Sequence, residues 1–596
     1  MAPASLSLQR FLRRLVPCLA GVLLVVLASC GGPGTTTTPT PTPSLPTGLQ
    51  YTTFDLKLPP EALNAPVVGP LPDSTPLHVS ISFKLNQQVV NQLNTKKVQK
   101  GQGQNTQSLA NQLGISDAEY QQIKAFYGVE NASLNLNKLH TDLAIDAKAS
   151  TFAKVFQIKF LIHKLNGRTF YTPDHNPQVP ALIASQILAI TGLDSYTLKN
   201  RPGFLLQRST VKASGGREKA GADCSFDSSL LSWSDLAQYY GYDQLYKAGY
   251  HGEGMTVNLV ELGDAYSPSE VQNYAACAGY KGKLITVNVG PPPTKEEGES
   301  TLDIEMVMGL APAANIVVYQ TGSDNGDPMH DVLQQIINDN ANNTSSGNVV
   351  SISYGLPEAA KTTQDLNAED QSLQTLTQVE HMTVFVASGD CGAFDIGDLA
   401  SNSWGQLAVD FPGTDPNVID VGGTTIPGQD KSANEVVWSN GSNHNACKNE
   451  WGSGGGLSQL VKRPDWQDAP GVQNKYSNGM RQVPDVSAIA WNLATYYTGP
   501  GWIPNGGTSA AAPIWASGMV LVNQALLDQA GSYYYGPDTF YQVYKAAAAN
   551  HLQPYYDITS GNNLYYPATQ GWDFASGLGS PNLPDFFKTL LQAAKQ

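Results

Sequence analysis

Charge is scarce in this chain. Asp, Glu, Lys and Arg make up 14% of its 596 residues, against about 25% in ordinary soluble domains. What charge there is leans negative, to a formal −15 and a pI near 5.0. A surface without a basic excess argues against nucleic acid as a partner. Cysteine is scarce as well: six residues, none in a Cys-x-x-Cys pair, which argues against zinc. The nine histidines are scattered, and none stands beside a Gly-Thr pair. Apolar residues are not lacking. At 41% they exclude wholesale disorder, and 63.7 kDa is enough chain for several domains and a sizeable core.

The charge is unevenly spread. Residues 1–222 sum to +10 and residues 223–596 to −25, the balance expected of two regions docked on one another. Arg10, Arg13 and Arg14 precede an apolar run from Leu15 to Leu27, too short for a comfortable membrane span and placed like an export signal. The run ends Leu27-Ala28-Ser29-Cys30-Gly31, which resembles the lipobox of bacterial lipoproteins. That likeness implies lipidation at Cys30, hence a cell-surface anchor or secretion after processing. Gly, Thr and Pro then alternate to Pro46, a composition that extends rather than packs. Setting Cys18 and Cys30 aside, Cys224, Cys277, Cys391 and Cys447 allow up to two disulfides in any of three pairings.

Two folded regions follow. In 51–200, Leu77 to Phe83 alternates as a half-buried strand, and Ser116-Asp117-Ala118-Glu119 is a capping box opening a helix to about Gly128. Phe152–Ile162 reads as strand and Val179–Ile190 as helix, so the region is predicted as a small α+β unit. Residues 201–223 are rich in Gly, Ser and charge, an exposed and cuttable joint. From Cys224 on, apolar β-rich runs (Thr256–Leu262, Leu284–Val289, Asn315–Tyr319, Val349–Tyr354, Thr383–Ala387, Val418–Val421) alternate with stretches long enough for helices. That pattern predicts a doubly wound, mainly parallel α/β sheet with its chemistry at the C-terminal strand ends.

Three motifs carry that chemistry. Gly506-Gly507-Thr508-Ser509 opens a long apolar helix, roughly Ala510 to Leu527, with the Ser509 hydroxyl exposed on a small-residue turn and its N–H free to face an anion. Glu299 and Asp303 stand four apart at the start of a helix ending before Pro312, so they share a face. Carboxylates that close push one another's pKa up, which makes a base of one and a steadying partner of the other. Val384 to Ala387 is a buried strand delivering Ser388-Gly389-Asp390, where an acid can donate to an oxyanion only if protonated.

Together, Glu299-x-x-x-Asp303, Ser388-Gly389-Asp390 and Gly507-Thr508-Ser509-x-x-x-Pro513 resemble the sedolisin family, the serine-carboxyl peptidases, and kumamolisin-type members in particular. The likeness spans about 51–596. It implies a subtilisin-like catalytic domain at 224–596 behind a ferredoxin-like propeptide at 51–200. A signal (1–30), a tether (31–50) and an activation linker (201–223) complete the organisation. It also implies that Ser509 is the nucleophile, Glu299 the base and acid, Asp303 its partner and Asp390 the oxyanion donor, with Glu261 a supporting acid. Where the family has Trp after Ser-Ile-Ser, this chain has Tyr354, a departure that touches the outer hydrogen-bond network. Ser453, Gly454, Gly455 and Gly456 resemble the substrate-lining segment, whose bare backbone suits an extended peptide.

Near the end, Tyr556-Asp557-Ile558-Thr559 and Thr569-Gln570-Gly571-Trp572-Asp573 offer acids and carbonyls suited to a hard cation. They resemble the family's calcium site. One ion would then be held by the Asp557 and Asp573 side chains and the Ile558, Thr569 and Gly571 carbonyls. The expected protein is a monomeric, exported, self-processing acid endopeptidase acting on proteins and peptides, inhibited by its own propeptide. Acid is expected to loosen the acidic half's hold on the basic prosegment. The alternatives are a tripeptidyl exopeptidase, a silent surface lipoprotein, or a conventional Ser-His-Asp hydrolase.

Overall fold

A computed structural model describes residues 50–595 apart from 102–104, 128–131, 198–200, 203–221, 223, 342–347, 396–405, 429–430, 433 and 442–449. The signal, Cys30, the tether, Cys447 and most of the linker lie outside the described residues. Residues 45–596 form one compact unit.

The N-terminal region folds as β1 (Pro76–Phe83), α1 (Asp117–Tyr127), β2 (Ser133–Leu136), β3 (Asp142–Lys148), α2 (Ala149–Val155) and β4 (Ile187–Thr191). The strands form an antiparallel sheet in the order β4-β1-β3-β2, the ferredoxin-like arrangement. The Ser116–Glu119 capping box forms as expected, Ser116 N–H donating to the Glu119 carboxylate at 2.7 Å. Val79, Ile81 and Phe83 pack with Phe126, Ile145 and Phe152 on one face.

Two expectations fail here. Phe152–Ile162 is strand only at its end, where Phe160–Leu165 begins; Phe152 to Val155 is helical, because Phe152, Val155 and Phe156 come to one buried face at helical spacing. The Val179–Ile190 stretch is no helix: Gln178–Pro180 is a short strand and Ile187–Thr191 is β4. Its apolar residues mimic a helical period, but pairing with β1 decides the conformation.

The catalytic region contains β5 (Thr256–Leu262), α3 (Pro268–Ala278), β6 (Leu284–Asn288), α4 (Glu299–Leu310), β7 (Asn315–Thr321), α5 (Pro328–Asn340), β8 (Val349–Ile352), β9 (Tyr354–Pro357), α6 (Thr363–Gln374), β10 (Thr383–Ala387), β11 (Asp410–Phe411), β12 (Ile419–Thr425), β13 (Val436–Val437), β14 (Val486–Ile489) and α7 (Thr508–Gln529). The central order is β6-β7-β5-β8-β10-β12-β13, with β14 beside β12. Every pair in it is parallel except β12 with β13. The winding reverses at β5, which has β7 on one side and β8 on the other, so a crevice opens at the carboxyl ends of β5 and β8. Helix α7 is apolar all round because it is packed inside the domain. Cys224 is bonded to Cys277, which selects one of the three pairings, and Cys391 is disulfide-bonded too.

The polar face of β1 is not solvated. Ser80 and Ser82 are buried between that sheet and the catalytic domain. Glutamines of α6 stitch the contact. Gln371 donates to the Phe83 carbonyl at 2.9 Å and accepts from Leu85 N–H at 3.2 Å, while Gln364 accepts from Ile190 N–H at 3.0 Å.

Candidate active site

The expected residues converge at the C-terminal ends of the parallel strands. Glu261 lies one residue before the end of β5, Tyr354 follows β8, Asp390 follows β10, α4 delivers Glu299 and, one turn on, Asp303, and α7 delivers Ser509 from its first turn. Glu261, Glu299, Asp303 and Ser509 are wholly buried.

Burial pushes the Glu299 carboxyl well above its ordinary range, with Asp303, Glu261 and Asp390 adding to the rise and the Ser509 hydroxyl opposing it. Glu299 and Ser509 thus face one another. Their geometry falls short of a full hydrogen bond, and among the described residues both Glu299 oxygens and Ser509 Oγ lack a partner, a looseness common before substrate binds. Burial raises Asp303 well above the carboxylate range as well; Ser353 opposes this and Asp264 adds to it. Glu261 rises through burial, Asp303 and Asp264, against the hydroxyls of Ser300 and Tyr354. The Tyr354 hydroxyl donates to Glu261 Oε2 at 3.0 Å, so the residue standing where the family has Trp closes the outer network.

Ser353 and Thr508 have roles that sequence reasoning missed. Ser353 Oγ lies 2.6 Å from Asp303 Oδ2 and 3.2 Å from the Ser509 carbonyl. Pro513 makes the second contact available: four residues beyond Ser509 and lacking an N–H, it leaves that carbonyl without its helical donor. Thr508 holds Asp390, its N–H and its hydroxyl each 2.7 Å from Asp390 Oδ1. The Ser509 N–H makes no hydrogen bond among the described residues and lies at the positive end of α7. Among the described residues no histidine bonds Ser509 or Glu299. The buried His330 bonds Asp142 at 2.9 Å and Ser372 at 3.0 Å, and His381 bonds the Leu93 carbonyl at 2.8 Å.

The segment expected to line the substrate is already engaged. Ser453 N–H donates to the Trp438 carbonyl at 2.9 Å and Gly454 N–H to Gly389 at 2.7 Å. The Gly455 carbonyl accepts from Asn563 at 3.2 Å, and Gly456 starts a strand paired with Met480–Val483. A Cβ on Gly454 would come 1.9 Å from the Ser388 carbonyl, so glycine is required to let this segment buttress the Asp390 turn. The edge that does receive an extended chain is β9. Arg201–Pro202 pairs with it antiparallel, Arg201 opposite Gly355 and Pro202 opposite Tyr354.

In the C-terminal loop, Asp557 accepts from Gly571 N–H at 3.0 Å and Asp573 from Thr569 N–H at 2.7 Å, so the two expected ligands tie the same turn. Burial lifts Asp573 to about 6 and raises Asp557. No hydrogen bond among the described residues engages the carbonyls of Ile558, Thr569 or Gly571. A buried acid with an elevated pKa beside open carbonyls fits an oxygen-liganded cation. No group of three or more His, Cys, Asp or Glu fit for a metal occurs among the described residues; a site of two carboxylates and carbonyls does not need one.

Comparison with known proteins agrees with this geometry. Residues 283–579 match the Subtilase family, and residues 64–196 match the pro-kumamolisin activation domain. The chain is 29% identical over 512 residues to kumamolisin of Bacillus sp. (strain MN-32), covering 81% of this chain and 85% of that protein. It is 26% identical over 537 residues to sedolisin of Pseudomonas sp. (strain 101), covering 84% and 85%. The solved structure of Pseudomonas sedolisin, complexed with two molecules of pseudo-iodotyrostatin, shares the fold. It superposes at a TM-score of 0.51 with 24% identity, over 61% of this chain and 99% of that one. Fold and site define a serine peptidase carried behind its own activation domain. The chain belongs to the sedolisin family.

Proposed function

We propose that the chain is an exported, self-processing endopeptidase that cleaves proteins and peptides in acid through an acyl-enzyme. Glu299 takes the Ser509 hydroxyl proton as Oγ attacks the scissile carbonyl, and returns it to the leaving amine. Asp303, oriented by Ser353, steadies the proton on Glu299. Asp390, protonated and held by Thr508, donates to the oxyanion together with the Ser509 N–H. Water then repeats the sequence to release the acyl group. The rate is bell-shaped in pH, because Glu299 must lose a proton while Asp390 keeps one.

The observation that carries this reading is the Glu299 carboxyl facing Ser509, with Asp303 behind it and the chain's own linker on the neighbouring edge. An antiparallel partner of β9 runs toward Ser353 and Ser509, so Arg201–Pro202 lies where the acyl side of a substrate would lie. That supports self-cleavage just beyond Pro202, inside 201–223. It also favours internal cleavage over tripeptide trimming, since the acyl side accepts a chain continuous with a whole domain. The sequence supports export, lipidation at Cys30, a stand-off tether at 31–50 and a monomeric state. One Ca²⁺ would be held by Asp557, Asp573 and the carbonyls of Ile558, Thr569 and Gly571, bracing the turn that adjoins the substrate-lining segment.

The test is the full chain carrying Ser509→Ala or Glu299→Gln. Both should remain uncleaved at the joint and lose activity on denatured protein, Ser509→Ala by about 10^5- to 10^6-fold. Normal self-processing by Ser509→Ala would refute the nucleophile. Activity surviving Glu299→Gln but lost on replacing one histidine would refute the carboxylate triad. Tripeptides as sole products would refute internal cleavage.

A further inference from the structure

Helix α4, which carries Glu299 and Asp303, has no cap of its own. Its N-cap is Gly298, with φ +114° and no side chain to offer. A Cβ there would come 3.2 Å from the Tyr497 ring, whose hydroxyl already bonds the Gly298 carbonyl at 2.9 Å. The usual capping residues therefore do not fit. The unpaired N–H groups of the first turn are taken by Asp264 instead, on the loop that leaves β5. Asp264 Oδ2 accepts from Gly298 N–H at 3.1 Å and from Ser300 N–H at 2.9 Å, and Oδ1 accepts from Glu297 N–H. The Asp264 residue is 1% exposed. Ser300 turns back toward the same loop, its hydroxyl 2.9 Å from Glu261 Oε2 and 3.0 Å from the Asp264 carbonyl.

We propose that Asp264 is a positioning residue for the catalytic carboxylates: it caps their helix from a neighbouring loop and, through Ser300, fixes Glu261 beside Asp303. The inference rests on the triad reading above. Glu299 is the first residue of the capped helix, so the axial position of that turn sets how Glu299 meets Ser509. The cap also carries charge into the site. The groups facing it are Glu261 from its own strand, Glu297 and Asp303 from α4 and its approach, and Tyr354 from β9. Lys295 is near through its backbone, its carbonyl accepting from Ala265 N–H at 2.7 Å, while its exposed ammonium lies 3.8 Å from Glu297. A carboxylate on the first-turn N–H groups offsets the positive end of the helix dipole, which otherwise favours ionised Glu299 and Asp303.

The experiment measures kcat and KM against pH on one quenched peptide for the acid-processed full chain, Asp264→Asn and Ser300→Ala. Asparagine keeps one acceptor oxygen for the Gly298 and Ser300 N–H groups, loses the one that receives Glu297 N–H, and removes the charge. The acidic limb of kcat, where the base is lost to protonation, should move down by about half to one pH unit at constant KM. Ser300→Ala keeps the N–H bond to Asp264 and loses the hydroxyl link, so kcat should fall about tenfold with the limb unmoved. A purely structural Asp264 lowers the melting temperature without moving the limb, and that result overturns the proposal. So does a wild-type kcat profile in Asp264→Asn. If Asp264→Asn does not fold, an unchanged kcat in Ser300→Ala overturns it. Ser509→Ala and Glu299→Gln in the same assay report on the triad separately.

Discussion

The molecule buries acids in two places and treats them differently. Between prodomain and catalytic domain, Asp142 is satisfied: Ser82 Oγ donates to it at 3.0 Å and His330 lies at 2.9 Å, both buried. At the catalytic centre, among the described residues, neither Glu299 oxygen makes a full hydrogen bond, and one oxygen each of Asp303 and Glu261 has no partner. Burial is common to both regions, so burial alone does not make chemistry. The difference is whether an opposite charge answers the acid or another acid does. Paired, a buried carboxylate holds two domains together; set against its own kind, it holds a proton that it can trade.

The sharpest way to break that contrast is at Asp390. Thr508 fixes its Oδ1 as an acceptor twice over, which dictates how an amide would sit. Asp390→Ala should lose about 10^2- to 10^3-fold in kcat, the usual effect of one oxyanion donor. Asp390→Asn places Nδ2 where the acid carries its proton, and an amide donates at any pH. Its kcat should therefore persist above the pH where the wild type fails. A pH–rate profile checks this; an unchanged alkaline limb would mean that Asp390 is not the group whose proton sets it.

An effect on stability rather than on rate is expected at the interface. Burial alone would depress His330, but Asp142, Asp327 and Asp331 outweigh it and hold the imidazole near 9. Because that value is raised, the pair's contribution is complete below about 6.5 and fades as pH rises through about 9. Asp142→Asn removes the carboxylate bonded to this buried histidine, and breaking such a pair costs about 3–5 kcal/mol. The variant should self-process at a higher pH than the wild type, followed as the loss of full-length chain. An identical pH midpoint would exclude the pair from the hold on the prodomain.

Two acids at this interface act against the loosening in acid that the charge split led one to expect. Asp194 and Asp365 face each other across it, held near 7 and 6 by burial and, for Asp194, by repulsion from Asp365. Their protonation removes a penalty that builds as pH rises, so they tighten the contact in acid. Ion pairs also cross the interface, among them His78–Asp331 and Lys96–Asp538.

What was legible in the sequence follows from how far each role reaches. Glu299 and Asp303 were legible because helical spacing alone puts them on one face, Asp390 because an apolar run ends just before it, and Ser509 because one begins just after it. Ser353 and Thr508 were not, since their partners lie 50 and 118 residues away and only the sheet order brings them together. The same limit hid the polar face of β1. Ser80 and Ser82 alternate as a solvated face does, and nothing local says that a second domain covers it. That the glycine-rich 453–456 segment also buttresses the Asp390 turn was not legible, because Ser388 and Gly389 lie more than sixty residues away in sequence.

The smallest effect is expected at the C-terminal loop, and it separates a third kind of buried acid from the first two. Asp573 is neither paired with a base nor crowded by acids. Four donors from Thr569, Ala575 and Ser576 surround it, yet burial still lifts it to about 6. A cation favours the ionised form, so binding competes with that proton. Calcium should raise the melting temperature of the Ser509→Ala chain relative to a chelator, by about 2–3 kcal/mol of stability at a hundredfold excess over Kd. For a raised carboxyl the sign is fixed: the calcium effect should be full well above pH 6 and shrink as pH falls through that value. Asp573→Asn should abolish the difference at both ends. A calcium effect that persists undiminished in acid, or survives Asp573→Asn, would locate the ion elsewhere in the chain.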